Sequence, residues 1–578
     1  MPLTSNLYIG ASGLQTSQNA LNTTAHNLTN VDTVGYTRQQ VQQSDRRYVT
    51  LSKTGAAISY EQTGLGVVYS RAKQVRDYFL DKTYRKESGR GSFYQVSTEV
   101  MEEVESQLGE LNGEAFQTTI SDLWTSVQEL AKDPASSVTQ GLLVHRAAEF
   151  VDRASAVYTG LCSYQDNLNA QVKQQVDKIN DYGKKILTLN DQIRAIESGK
   201  VEHANDLRDM RNQLMDELAE LTNISWTEDS LGNVAIQIEG VDFVKGSTCY
   251  EIALQTEETT GFYTPFWPQN ADYVEDEMGN RSYNIDGAEV FDLGIEISAD
   301  YGTDVGGLKA MLLARGDHRA DYTDVVSNYS GVSQSVIMNI QAEFDQMIHS
   351  VTTKINDVLA QASGLVEGNL TLQDGTVLSG VRYCASKENG YLRNEDGSPI
   401  RLFNKTSSDG YRKVTATDEN GVTGEYWVYN EEEAAKKGTL YSTMNLKIDN
   451  NLMQKPAKLS FRREDGSEDN ETAEALKAAF TEEAYILNPN VKKKSSFVDY
   501  YGDLVAQVSN QGYVYRNIYE NQQNTVESTF AAREQVTGVS SDEELSNMIK
   551  FQNAYNASSR YINVISEMLE HIINTLGS

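Results

Sequence analysis

Two heptad ladders, one at each end of the chain, limit what this sequence can fold into. Leu7, Leu14, Leu21 and Leu28 recur every seven residues and fall on one stripe of a helix. Met548, Tyr555, Ile562, Leu569 and Leu576 repeat that spacing at the other end. Thr4, Ala11, Gln18 and Ala25 form a small or polar companion row on the first helix. On the last helix Leu545 and Ile573 lie on the companion positions, and Gln552, Ser559 and Ser566 fill the others. Such helices can approach closely, but one pair alone buries little and is marginal in water. Phe551, Ile565 and Ile572 widen the apolar stripe beyond a two-helix seam. The pattern leaves two readings open, a helical pair closing one chain and a packing element between copies.

At 578 residues the chain exceeds one hydrophobic core, so three to five domains are expected. The net charge of −32 repels nucleic acid and anionic membranes, and no basic arm offsets it. No apolar run is long enough to span a bilayer. "MPLTSNLYIGASGLQ" has neither a basic n-region nor an apolar h-region, which predicts a cytosolic protein or one exported without a cleaved signal. Cys162, Cys249 and Cys384 are too far apart for a disulfide framework or a zinc knuckle.

Proline is absent between Pro134 and Pro265, and the intervening text is helical. Leu168, Val172, Val176, Ile179, Ile186, Leu189 and Ile193 predict a long amphipathic helix over 167–198. A second helix follows over 204–221, with Asp206 near its N-cap. Alternating text broken by Gly-Asn and Glu-Gly predicts hairpins from about 222 to 300. Helix returns over 306–361. Turn signals such as "EDGS" and "DENG" mark a second β-rich stretch over about 365–485, and helix resumes from 496. The expected fold is a multidomain α+β chain. Its terminal helices (1–60 with 537–578) form a coiled-coil-like inner domain. A long-helix bundle follows (61–225 with 305–362 and 492–536). β-rich domains are inserted at 226–304 and, as a variable outer domain, at 363–491.

Catalytic signals are missing from the sequence. His26, His145, His203, His318, His349 and His571 form no metal-binding spacing. No nucleophile elbow, P-loop or dinucleotide fingerprint occurs. Turns such as "NEDGSP" lack the ligand pattern of a calcium loop. The expected catalytic, cofactor and metal residues are therefore none.

"ASGLQTSQNALNTTAHNLTNVDTVGYTRQ" resembles the N-terminal signature of flagellar axial proteins. "GVSSDEELSNMIKFQNAYNASSRYINVISEMLEHIIN" resembles their C-terminal signature, with matches at Asp542, Glu543, Glu544, Leu545, Gln552, Ala554, Tyr555, Ala557, Arg560, Glu567 and Met568. "GLGVVYSRAKQVRDYFLDKTYR", "FQTTISDLWTSVQELAKDPAS" and "ANDLRDMRNQLMDELAELTNIS" are similar to the hook–filament junction members of that group. Two departures stand out. Thr33-Val34-Gly35-Tyr36 replaces a frequent Thr-Pro-Gly-Tyr, and Gly316 separates Arg315 from Asp317.

The resemblance implies a structural subunit of the bacterial flagellum that joins hook to filament and acts as adaptor for filament growth. Another axial protein, hook or distal rod, is the alternative. It implies self-assembly into a homo-oligomeric ring through the terminal helices. Implied partners are the hook protein, the second hook–filament junction protein and an export chaperone on the C-terminal helix. It places the protein outside the cell at the hook–filament junction, after export from the cytoplasm. Asn27, Asn30, Gly35, Tyr36 and Arg38 are the motif residues of the loop where such chains turn outward.

Overall fold

The computed structural model of the chain describes residues 2–46, 48–52, 61–109, 116–199, 202–276, 278–386, 391–463 and 465–576. Helix α1 (Pro2–Thr29) leads into β1 (Gln39–Asp45), β2 (Val49–Ser52), β3 (Glu61–Thr63) and β4 (Val67–Gln74). β1 pairs antiparallel with β4, and β2 with β3. Helices α2 (Tyr78–Leu108), α3 (Phe116–Lys132), α4 (Ser137–Glu197) and α5 (Asn205–Leu221) follow. A four-stranded meander comes next, made of β5 (Ile224–Glu228), β6 (Val234–Ile238), β7 (Val241–Lys245) and β8 (Thr248–Cys249). Two hairpins succeed it, β9 (Ala253–Thr256) with β10 (Tyr263–Phe266) and β11 (Asp272–Glu275) with β12 (Arg281–Asn284).

The chain then re-enters helix as α6 (Gly307–Arg315), α7 (Tyr322–Ser327), α8 (Tyr329–Val332) and α9 (Val336–Ala362). A closed barrel follows, formed by β13 (Val366–Leu372), β14 (Val377–Ala385), β16 (Tyr411–Thr417) and β17 (Thr423–Tyr429). Between its halves, β15 (Phe403–Lys405) pairs with the later β18 (Leu446–Ile448). The last elements are α10 (Asn450–Gln454), α11 (Asn470–Thr481), α12 (Phe497–Thr537) and α13 (Ser541–Leu576).

Several elements differ from their sequence-based expectation. The helix expected over 167–198 starts thirty residues earlier, and α4 is 61 residues long. Its apolar stripe continues backward through Val157, Ala154, Phe150, Ala147 and Leu143, all buried. Ser136 caps it, accepting from the Val138 N–H at 3.3 Å. Asp206 is not the cap of α5. Ala204 occupies that position without a side-chain bond, and its N–H goes to Glu197 Oε1 at 3.0 Å. Asp206 lies in the first turn, where the helix dipole favours an acid.

The helix read over 306–361 is broken at Gly316. This glycine has φ 75°, and a Cβ there would stand 2.3 Å from Met338 Sδ. The residue therefore ends α6 where the start of α9 crosses close by. Asp321 and Asp324 then open α7 with a reciprocal capping box.

Only the first part of 363–491 is a β domain with its own core. Leu370, Tyr383, Ala416, Tyr426 and Val428 fill the barrel. Tyr441, Leu452, Phe461, Leu476 and Phe480 instead join the main core of the helical body. Phe480 stacks on Trp124 of α3 at 5.5 Å, so this stretch packs inward. The turn signals were real, but they joined short helices as well as strands. The meander residues Val234, Ile236, Phe243 and Val244 belong to the same continuous core.

Among the described residues, no cation pairs with one carboxylate of that core. Glu343 on α9 is fully buried. It accepts from Asn488 Nδ2 at 2.7 Å and from Gln507 Nε2 at 2.9 and 3.1 Å. Burial pushes its pKa up to about 7 against the pull of these amides. The folded chain thus binds a proton here that the unfolded chain, near 4.5, does not. Stability from this group rises as pH falls through 7 and levels off below 4.5. Glu343→Gln should raise Tm at pH 8 and remove the step near 7. A step near 6 should remain from Asp345, whose burial raises it in the same sense. Thermal unfolding between pH 5 and 8 checks this; an unchanged step near 7 contradicts it.

Candidate assembly site at the paired termini

α1 and α13 run antiparallel, with Gly10 against Ile562, Gly13 against Ser558 and Asn27 against Glu544. Contact is close because one partner offers glycine. A Cβ on Gly10 would stand 2.7 Å from Ile562 Cγ1, and one on Gly13 2.8 Å from Ser558 Oγ. The buried row of α1 is Gly10, Ser17, Ala20, Thr24 and Asn27, with Ser12 and Thr16 beside it. Ser17 Oγ donates to the Gly13 carbonyl and Ser12 Oγ to the Ile9 carbonyl, both at 2.8 Å, so these two hydroxyls are satisfied within their own helix.

Leu7, Leu14, Leu21 and Leu28 flank this contact and are only half-buried. Met548, Tyr555, Ile562 and Leu569 are half-buried on the face of α13 turned toward α1, and Ile565 between them is 4% exposed. The side chains of Thr4 and Leu576 lie outside the described residues. The companion rows differ from the expected ones. Ala11, Gln18 and Ala25 face solvent, as do Gln552 and Ser566. Leu545 and Ile573 are 46% and 68% exposed. The true companions are Glu544, Phe551, Ser558 and Ile565, on the opposite flank of the ladder. Heptad spacing alone does not say which flank a partner covers.

The motif loop ties this pair to the helical body. Asn27, 1% exposed, donates to the Gln39 carbonyl at 2.8 Å and to Glu544 Oε2 at 3.1 Å. Its Oδ1 accepts from the Tyr36 hydroxyl at 2.8 Å and the Gln39 N–H at 3.0 Å. Asn30 holds the turn, donating to the His26 carbonyl at 2.9 Å and accepting from Thr33 Oγ1 at 3.1 Å. Gly35 has φ 78°, a conformation that glycine adopts freely. Val34 is 88% exposed. Its turn closes through the Tyr36 N–H to the Thr33 carbonyl at 3.2 Å. Burial, then the charges of Asp209, Asp206 and Glu544, raise the Tyr36 phenol well above its ordinary value.

Arg38 links three segments at once. Its N–H donates to the Thr537 carbonyl at 2.8 Å, and its carbonyl accepts from the Val75 N–H at 2.9 Å. Its guanidinium meets Glu544 at 2.9 Å and Glu543 at 2.8 Å. Thr37, the residue before, reaches the body. Asp209 on α5 accepts from the Thr37 hydroxyl at 2.6 Å and the Thr37 N–H at 3.1 Å. Thr37 and Asp209 are absent from the sequence-derived site. They are 172 residues apart and carry no local pattern. Burial lifts the Asp209 carboxyl to about 6, opposed by the Thr37 donors and by Arg76. Among the described residues, no group of three His, Cys, Asp or Glu could hold a metal ion. No helix among them is long and apolar enough to cross a membrane.

Sequence models of three flagellar families match the chain. "Flagellar hook-associated protein FlgK helical domain" covers residues 101–373. "Flagella basal body rod protein" covers 7–37, and "Flagellar basal body rod FlgEFG protein C-terminal" covers 535–575. The chain is 23% identical over 567 residues to flagellar hook-associated protein 1 of Bacillus subtilis, covering 98% of this chain and 96% of that protein. Against the Escherichia coli protein of the same name it is 23% identical over 584 residues, with 97% and 98% covered. The flagellar hook junction protein FlgK from Burkholderia pseudomallei shares the fold, with a TM-score of 0.50 at 13% identity over 79% of this chain and all of that one. The terminal matches coincide with the α1–α13 pair, and the central match with the helical body. The chain is similar to flagellar hook-associated protein 1 over nearly its whole length, and its central residues match the helical-domain family of that protein.

Proposed function

We propose that this chain is the structural subunit that joins hook to filament and serves as the adaptor on which the filament grows. Copies assemble into a ring through the paired termini. The observation that carries this is the surface of the pair. α1 contains no Asp, Glu, Lys or Arg, in a chain of net charge −32. Its half-buried leucine row and the exposed Leu545, Ile549, Val564, Met568 and Ile573 of α13 remain to be covered. Like-charged copies repel, and an uncharged helix with an apolar flank is the part that can stack copy on copy.

In this reading the further partners are the hook protein on one side and the second hook–filament junction protein on the other. An export chaperone covers the apolar face of α13 before the chain leaves the cytoplasm through the flagellar export route. The rod-type terminal matches alone also fit a hook or distal rod subunit; the hook-associated helical domain over 101–373 favours the junction. The proposed partition into a terminal pair, a helical body and inserted β-rich units fits this division of labour.

Complementation tests the reading. Cells lacking the chain and supplied with a version ending at residue 540 should build hooks, form no filaments and release filament subunits into the medium. Normal filaments on such cells overturn it.

A further inference from the structure

The terminal pair meets the helical body through a junction in which one carboxylate of the body gathers donors from two segments. Asp209 sits on α5, 8% exposed. It receives both the hydroxyl and the N–H of Thr37, at 2.6 and 3.1 Å. It also receives Gln74 Nε2 at 2.7 Å, from the end of β4, and Arg76 Nη1 lies 3.9 Å away. Thr37 is 2% exposed and stands between the motif loop and β1. One carboxylate therefore collects the chain leaving the terminal pair and the chain returning to the body. One turn earlier, Asn205 donates to Gln39 Oε1 at 3.0 Å and to the Ala72 carbonyl at 3.3 Å, so α5 grips both strands of the β1–β4 ribbon.

We propose that Asp209 is the positioning residue that fixes the direction in which the terminal pair leaves the body, and so sets the geometry with which copies meet. This rests on the assembly role proposed above. A carboxylate suits the task because it accepts from several donors at once and places its two oxygens in one plane. Thr37 offers two donors from one residue, which constrains both the position and the rotation of the loop. Without Asp209, Arg38 still holds Thr537, but the loop can pivot about that contact.

Asp209→Asn exchanges one acceptor for an N–H pair facing the Thr37 and Gln74 donors. Thr37→Val removes the hydroxyl at nearly constant shape, and Thr37→Ser retains it. Spin labels at the exposed Asn22 and Lys185 report the direction of the pair relative to α4, in a full-length chain whose three cysteines are replaced by alanine. The expected distance distribution is narrow in this background and with Thr37→Ser. It should be at least twofold wider with Asp209→Asn and intermediate with Thr37→Val, while the main unfolding transition of the body shifts little. Equal widths in all four chains overturn the proposal, as does a distribution already broad in the background. A wider distribution confined to chains whose body also unfolds earlier reduces Asp209 to a fold-stabilising residue and overturns it as well. The distances do not depend on the ring, so the proposal can fail while the adaptor role stands; filament growth on cells supplied with the version ending at residue 540 overturns that role alone.

Discussion

Leu21→Asp should abolish filament growth while leaving α1 paired with α13 in the free chain. Ile562→Asp should abolish both. The difference follows from where the two side chains lie. Ile562 rests on Gly10 in the intramolecular contact, whereas Leu21 stands half-buried on its flank. A carboxylate at Ile562 either loses its charge or keeps water inside a glycine-close contact, at a cost of several kcal/mol. A carboxylate at Leu21 reaches solvent in the single chain and costs little there. Once neighbouring copies cover the leucine row, the same burial cost recurs at every subunit of the ring. Amide exchange on the purified chain should show α1 unprotected in Ile562→Asp and normal in Leu21→Asp. Both strains should shed filament subunits into the medium. Gln18→Asp, on the solvent face of α1, is the control and should support motility. Normal filaments on Leu21→Asp cells would leave the leucine row with no role between copies.

Arg38→Ala should loosen the root of the terminal pair far more than Glu543→Ala, although both remove the same kind of ion pair. Glu544 is the reason. Its side chain is 3% exposed, and among the described residues Arg38 supplies the cation bonded to it. Removing Arg38 leaves a buried carboxylate with its Asn27 bond but without its cation, which costs about 3–5 kcal/mol. Glu543 is 61% exposed, so its contact with Arg38 contributes less than about 1 kcal/mol. Exchange protection of residues 24–38 and 537–548 should fall sharply in Arg38→Ala. It should stay near normal in Glu543→Ala, and the helical body should be unchanged in both. Equal losses in the two variants would contradict the assignment of Glu544 as the buried member of the pair.

These residues also show how far the sequence was legible. The existence of terminal ladders, the long bundle helices and the interruption by β text all follow from spacing and from proline placement. Asn27, Tyr36 and Arg38 stand out through resemblance to a motif, and the structure gathers them around Glu544. The flank on which α13 meets α1 was not legible, because a heptad row has two neighbours and only the glycines at 10 and 13 decide between them. β1 and β4 went unread because "QQVQQSD" has almost no apolar alternation; the pairing with β4 and the grip of Asn205 make it a strand. Thr37 and Asp209 were invisible for the same reason as the inward packing of 440–487. Both depend on contacts between residues far apart in the chain, and neither leaves a local trace.

A density map of the assembled hook–filament junction tests the assembly role of the termini most directly. The expected map shows α1 and α13 of each copy paired as in the single chain. Leu7, Leu14 and Leu21 should be covered by α13 or α1 of adjacent copies, with Ile549 and Ile573 in the same contacts. A map in which copies meet only through the helical body or the barrel, with the leucine row facing water, would contradict it.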